Sequence, residues 1–168
     1  WLGICQGGYV ADAKQFQVLF GYSGATFNQL LDCAARLSAA DYHQHPGYGL
    51  GSIHDLLFHV LYWEHWWRNA VEHGRSGRGI QVKAYPNLET LRAGVQAEQA
   101  AWQQLIAGFS AADLAAERTV GENTFQLWRM LQHVVLHGMQ HYSEVALLLT
   151  AKGQSPVGID FIWFTEQP

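Results

Sequence analysis

Cysteine is scarce in this sequence: Cys5 and Cys33 are the only two among 168 residues. They can form at most one disulfide and match no metal-ligand spacing, so a disulfide-stapled scaffold is excluded and a reduced, cytoplasmic setting is expected. Charge is sparse as well, at 14% Asp, Glu, Lys and Arg with a net charge of −4. A chain so weakly and negatively charged offers no footprint for nucleic acid or an anionic membrane surface, and neither is expected as a partner. Long apolar runs are missing. The longest, Val145-Ala146-Leu147-Leu148-Leu149, falls far short of the roughly 20 residues that cross a bilayer. The first residues have no basic stretch and little apolar length, so they do not read as a secretory signal. Residues 1–11, which lack an initiator Met, are expected to be an extra segment ahead of one domain spanning 12–168.

Runs of alternating apolar and polar residues are also lacking, and the periodicity present is helical, which predicts an all-α fold. Half of the chain is apolar, 49%, enough for one sizeable core. The first predicted helix runs from about Asp12 to Leu37 on the spacing of Phe16, Leu19, Phe20, Leu30, Leu31 and Ala34. Gly21 and Gly24 weaken its middle and leave room for a bend. Ser52, with Asp55 three residues on, caps a second helix from Ile53 to about His73. Pro86-Asn87 opens a third, Leu88 to about Ala107, and Gly121-Glu122-Asn123-Thr124 reads as a stop and cap before a fourth, Phe125 to about Ala151. An aromatic C-terminal tail is expected to pack on the helices.

Histidine is abundant where other chemistry is thin: nine residues against ten Lys plus Arg. His133, His137 and His141 follow one another at a spacing of four in the fourth helix, which puts them on one stripe. Met130, Glu144 and Leu148 share that stripe, which reads as an inward, apolar face. A single inward histidine is ordinarily a core residue bonded to a carbonyl, but an apolar helical face has few free carbonyls for two of them. Two imidazoles at i and i+4 can chelate a divalent ion from one side. Gly138 stands where a helical zinc protease has its glutamate, so that general base is lacking. His59 of the second helix, on the face of Leu56, Val60, Trp63 and Trp67, offers a third donor. The predicted ligands are therefore His59, His137 and His141, with an open fourth position of the catalytic type. Zinc is the expected metal, with nickel, iron and manganese also compatible with imidazole and water donors.

His133 lies two turns from His141, too far to share an ion, and is assigned with Trp63 and Met130 to the surroundings of the site. Trp63 and Trp67 are expected to fill core, and Trp66 to point away towards a second subunit or the tail. His43, His45, His54, His65 and His73 are read as solvated. Glu144 has three open roles: to orient a ligand histidine, to act as a base, or to pair with a surface cation. Ferritin-like di-iron sites need Glu-x-x-His motifs that this sequence lacks.

The set Ser52-Ile53 through Leu57-Phe58-His59, with Glu64 and Trp67, followed by His133-Val-Val-Leu-His137-Gly-Met-Gln-His141, resembles the DinB/YfiT-like superfamily from about Phe16 to Phe164. A tail with Pro156 and Asp160 adds to the likeness. The resemblance implies an up-down-down-up four-helix bundle, a homodimer, and a divalent metal on His59, His137 and His141. It also implies a choice between a metal-dependent S-transferase joining a low-molecular-weight thiol to an electrophilic small molecule and a non-catalytic, DNA-damage-inducible stress protein. A metal-dependent hydrolase with Glu144 as base is the third reading. Many such proteins carry Arg-Gly-Gln after the last ligand, whereas this chain has Tyr142-Ser143-Glu144, so a substrate-holding role of that arginine does not carry over. The small residues Gly21, Ser23, Gly24 and Ala25 of the first helix point towards the same dimer.

Overall fold

The computed structural model describes residues 12–165; the segment 1–11, with Cys5, lies outside them. Asp12 caps the first helix by accepting the Lys14 N–H, and α1 spans Ala13–Ala34. It runs uninterrupted through Gly21 and Gly24, because tertiary contact uses their missing side chains. A Cβ on Gly24 would lie 3.1 Å from Gln99, and one on Gly21 would lie 3.4 Å from the Phe164 ring. Gln99 also donates to the Gly24 carbonyl, and Ser23 is buried. These small residues serve packing within the chain.

A short helix α2, Ala39–Tyr42, leads to α3, Ile53–His73. The start of α3 is fixed by a reciprocal capping box between Ser52 and Asp55. Gly51 holds φ of 125°, and a Cβ there would meet the Asp55 carboxylate at 2.5 Å, so the cap depends on glycine at this position. Asn87 caps α4, Leu88–Ala107, and α5 covers Ala111–Ala115. The spans of α3 and α4 agree with those read from the sequence.

The all-α expectation needs one correction. Glu117–Val120 (β1) and Asn123–Gln126 (β2) form an antiparallel hairpin in which Val120 faces Asn123. Gly121 and Glu122 are the two loop residues, with Gly121 at φ of 62°, the glycine-first arrangement that suits a two-residue hairpin. These residues turn a hairpin; they do not cap a helix. The last helix, α6, accordingly begins at Leu127 and ends at Ala151, tied to the hairpin by the Leu127 N–H donating to the Ala116 carbonyl.

The four long helices pack in the pairs α1–α4, α1–α6, α3–α4 and α3–α6. Two apolar clusters fill the space between them. Phe27, Leu31, Leu57, Leu61, Leu91 and Leu149 belong to one, and Phe16, Trp102, Ile106, Leu127 and Leu131 to the other. Met139 touches both clusters, so the middle of α6 lies at the junction. The tail packs where expected: Phe161 and Phe164 meet Tyr22 edge-on at 5.1 and 5.8 Å between ring centroids. Ile162 and Trp163 stay exposed. Trp66 is half-buried and stacks on Trp63 and Trp67 at 5.6 and 5.0 Å, so it joins the aromatic row it was expected to leave.

Candidate metal centre

Seven residues beyond the Ser52 cap, α3 presents His59 to α6. There one ring nitrogen of each of His59, His137 and His141 falls within 4.8 Å of the others. The His137 and His141 Nε2 atoms are 3.2 Å apart. Ring centroids lie 4.6 Å apart for His59–His141 and His137–His141, and 5.4 Å for His59–His137. Two nitrogens bound tetrahedrally to zinc at about 2.0–2.1 Å would be roughly 3.3 Å apart. The donor set therefore fits a divalent ion with little rearrangement.

The site sits at the edge of the bundle. His141 is buried, His59 and His137 are half-buried, and His133 is exposed. The stripe through 133, 137 and 141 thus runs along the border of the buried face of α6, which corrects its reading as the inward face. The true core face carries Leu131, Val134, Val135, Tyr142 and Val145. A ligand set on the border has a side open to solvent, which a closed core site would lack.

The surroundings of the rings suit a metal ion. Partial burial lowers the pKa of His137 to about 4, with the neighbouring His141, His59 and His133 acting in the same direction and Glu144 opposing. Burial, then His141, lowers that of His59 as well. Both rings are consequently neutral at physiological pH and offer a lone pair. The Glu144 carboxylate lies 3.0 Å from His141 Nδ1. By accepting a hydrogen bond from Nδ1–H, it favours the tautomer whose Nε2 is free to face the other two rings. Of the roles open to Glu144, orienting the His141 ring is the one this contact suits. Removing it by Glu144→Ala is expected to weaken metal binding by about 10–100-fold, measured by competition with a metal-responsive dye.

Behind the site stands a buried polar chain that holds α6 in register. Tyr142, fully buried, donates to Glu64 of α3 at 3.2 Å and lies 3.3 Å from the hydroxyl of Ser23 in α1. Glu64 is itself buried, and its carboxyl is pushed up to about 8 by burial and by the nearby charge of Glu98, against the Tyr142 bond. Glu98 is engaged by Arg68 and by His65 Nδ1 at 2.9 Å. This anchoring role of Tyr142 and Glu64 was not read from the sequence. Its signal was an acid and a tyrosine next to the ligand stripes but turned towards the apolar side.

The remaining residues of the expected site fall around the rings. Trp63 lies edge-on to His59 at 6.2 Å and His133 packs on Trp67 at 5.1 Å, while Met130 is buried one turn away. Two histidines read as solvated are not. His54 is buried, 3.1 Å from the Tyr42 hydroxyl and stacked on His43, and His65 is half-buried in its pair with Glu98. His43, His45 and His73 are exposed as expected.

Among the described residues no helix is long and apolar enough to cross a membrane. Comparison with curated proteins gives no match. Comparison with protein families gives one that spans residues 12–168, from the Asp12 cap to the last residue of the sequence, and includes all three histidines. On the strength of that match, the chain belongs to the DinB family.

Proposed function

We propose that the protein is a divalent-metal S-transferase, with zinc on His59, His137 and His141, which joins a low-molecular-weight thiol to a small electrophile. The observation that carries this reading is the cluster of three imidazoles, two half-buried and one buried, at the edge of the bundle, a donor set that leaves room for a substrate atom. An ion there would act as a Lewis acid and ease loss of a proton from a thiol or water. The chain's own residues do the rest. Glu144 orients His141 and, half-exposed itself, stands where it can pass a proton to solvent. Trp63 and His133 border the rings, and Tyr142 and Glu64 hold the two ligand-bearing helices together.

Incubating metal-loaded protein with monochlorobimane and a panel of thiols, bacillithiol and mycothiol among them, is expected to give conjugation above the uncatalysed rate. A His59→Ala control should lose it. No rate above background with any thiol favours the second reading, a metal-binding stress-response protein without catalysis. The replacement of Arg-Gly-Gln by Tyr142-Ser143-Glu144 supports that alternative.

The bundle is proposed to run up-down-down-up. The sharing of one core cluster by the N-terminal halves of α1 and α6 with the C-terminal halves of α3 and α4 supports this path. A cytoplasmic homodimer completes the proposal. Leu147, Tyr48 and Leu50, each more than half exposed, line a single apolar depression suited to a second copy. Light scattering at micromolar concentration is expected to give twice the chain mass, and Leu147→Glu to halve it.

A further inference from the structure

The stripe of α6 does not end at His133. Four residues earlier it carries Arg129, so Arg129, His133, His137 and His141 recur at one spacing. Arg129 and His133 line a pocket of about 320 Å³ whose other walls are Trp67, Phe125 and Met130. Trp67 stacks against His133, and His133 lies 5.8 Å from the His137 ring. His133 therefore joins the pocket it lines to the metal centre along the helix. The pocket's apolar lining comes from an indole, a phenyl ring and a buried thioether, surfaces that take a flat apolar body. Phe125 is placed there by the hairpin, opposite Arg118 in the β register.

Arg129 is exposed and has no carboxylate partner among the described residues, unlike Arg68 and Arg92, which are ion-paired. A guanidinium at the edge of an aromatic pocket favours a carboxylate, which it can grip in a bidentate manner. From Arg129 to His137 the backbone advances about 12 Å along the helix, a span for a ligand with its acid group at one end and its reacting carbon at the other.

We propose that this pocket binds the electrophilic partner of the transfer, a small molecule with a flat apolar body and a carboxylate held by Arg129. That the ligand is an electrophile rests on the transfer reading, but the pocket and its preference for a carboxylate stand apart from it.

Calorimetric titration with 4-phenylbutyrate and its neutral amide, on metal-loaded and chelator-stripped protein, tests this. The acid should bind about five- to tenfold more tightly than the amide with or without metal. Arg129→Gln should bring the acid down to the level of the amide, with a much smaller change in amide binding. Phe125→Ala should weaken both. Equal binding of acid and amide, insensitivity to Arg129→Gln, absence of binding, or binding of the acid that disappears with the metal would each overturn the proposal. The expected binding pattern in a protein with no thiol-conjugating activity would support the pocket while removing the transfer reading.

Discussion

His137→Ala is expected to abolish stoichiometric metal binding, taking the protein from about one divalent ion per chain to near none. His137 is one of the three donors, 3.2 Å from His141 between Nε2 atoms and 5.4 Å from His59 between ring centroids. Its loss leaves two donors on different helices, and the His141 ring no longer has a second imidazole one turn away. A lost outer hydrogen bond costs about 10–100-fold in affinity, and a lost ligand should cost more. Binding of metal to the native state alone raises apparent stability by mass action. Added zinc should therefore raise the thermal midpoint of the wild type and leave that of His137→Ala unchanged, while the two metal-free proteins melt within a few degrees of each other. A variant that retains full metal content would show that the ligands lie elsewhere.

Glu64→Gln is expected to stabilise the protein in a strongly pH-dependent way. In the fold the Glu64 carboxyl ionises at about 8, because it is buried and faces the charge of Glu98, against an ordinary value of 4.5. Between those values the native state holds a proton that the unfolded chain has released, so stability contributed by this group falls as pH rises and levels off above pH 8. Glutamine keeps an acceptor for Tyr142 and has no proton to lose. The advantage of Glu64→Gln over wild type should be small at pH 5, grow towards pH 8, and reach about 5–10 °C in thermal midpoint there. Melting curves across that range check it. A difference independent of pH, or one that shrinks as pH rises, would contradict it.

Much of this architecture was legible because local signals and tertiary demand agree. Ser52 with Asp55 and Asn87 with Thr90 are capping boxes, and the helices they start have the bounds read from their apolar spacing. The shared line of His137 and His141 was legible for the same reason, since the facing of an i to i+4 pair is a consequence of the helix alone. The hairpin was not, because each strand has four residues, too few for alternation to show. Its signal was the Thr-Val and Thr-Phe pairs on either side of Gly121-Glu122. The depth of the histidine stripe was also misread. Periodicity fixes which residues share a line along α6, but whether that line is central or marginal depends on where α3 packs. His54 and His65 were read as solvated because they lie across α3 from His59. That side is covered by Tyr42 and Glu98, partners that only the tertiary fold supplies.

X-ray absorption at the metal edge of untagged protein, as purified and after zinc loading, tests the central claim most directly. It should show an imidazole shell fitted by three nitrogens at about 2.0–2.1 Å with one or two further light donors and no sulfur from the protein. A protein that takes up no ion, or an ion whose imidazole shell persists unchanged in His59→Ala and His141→Ala, would contradict it.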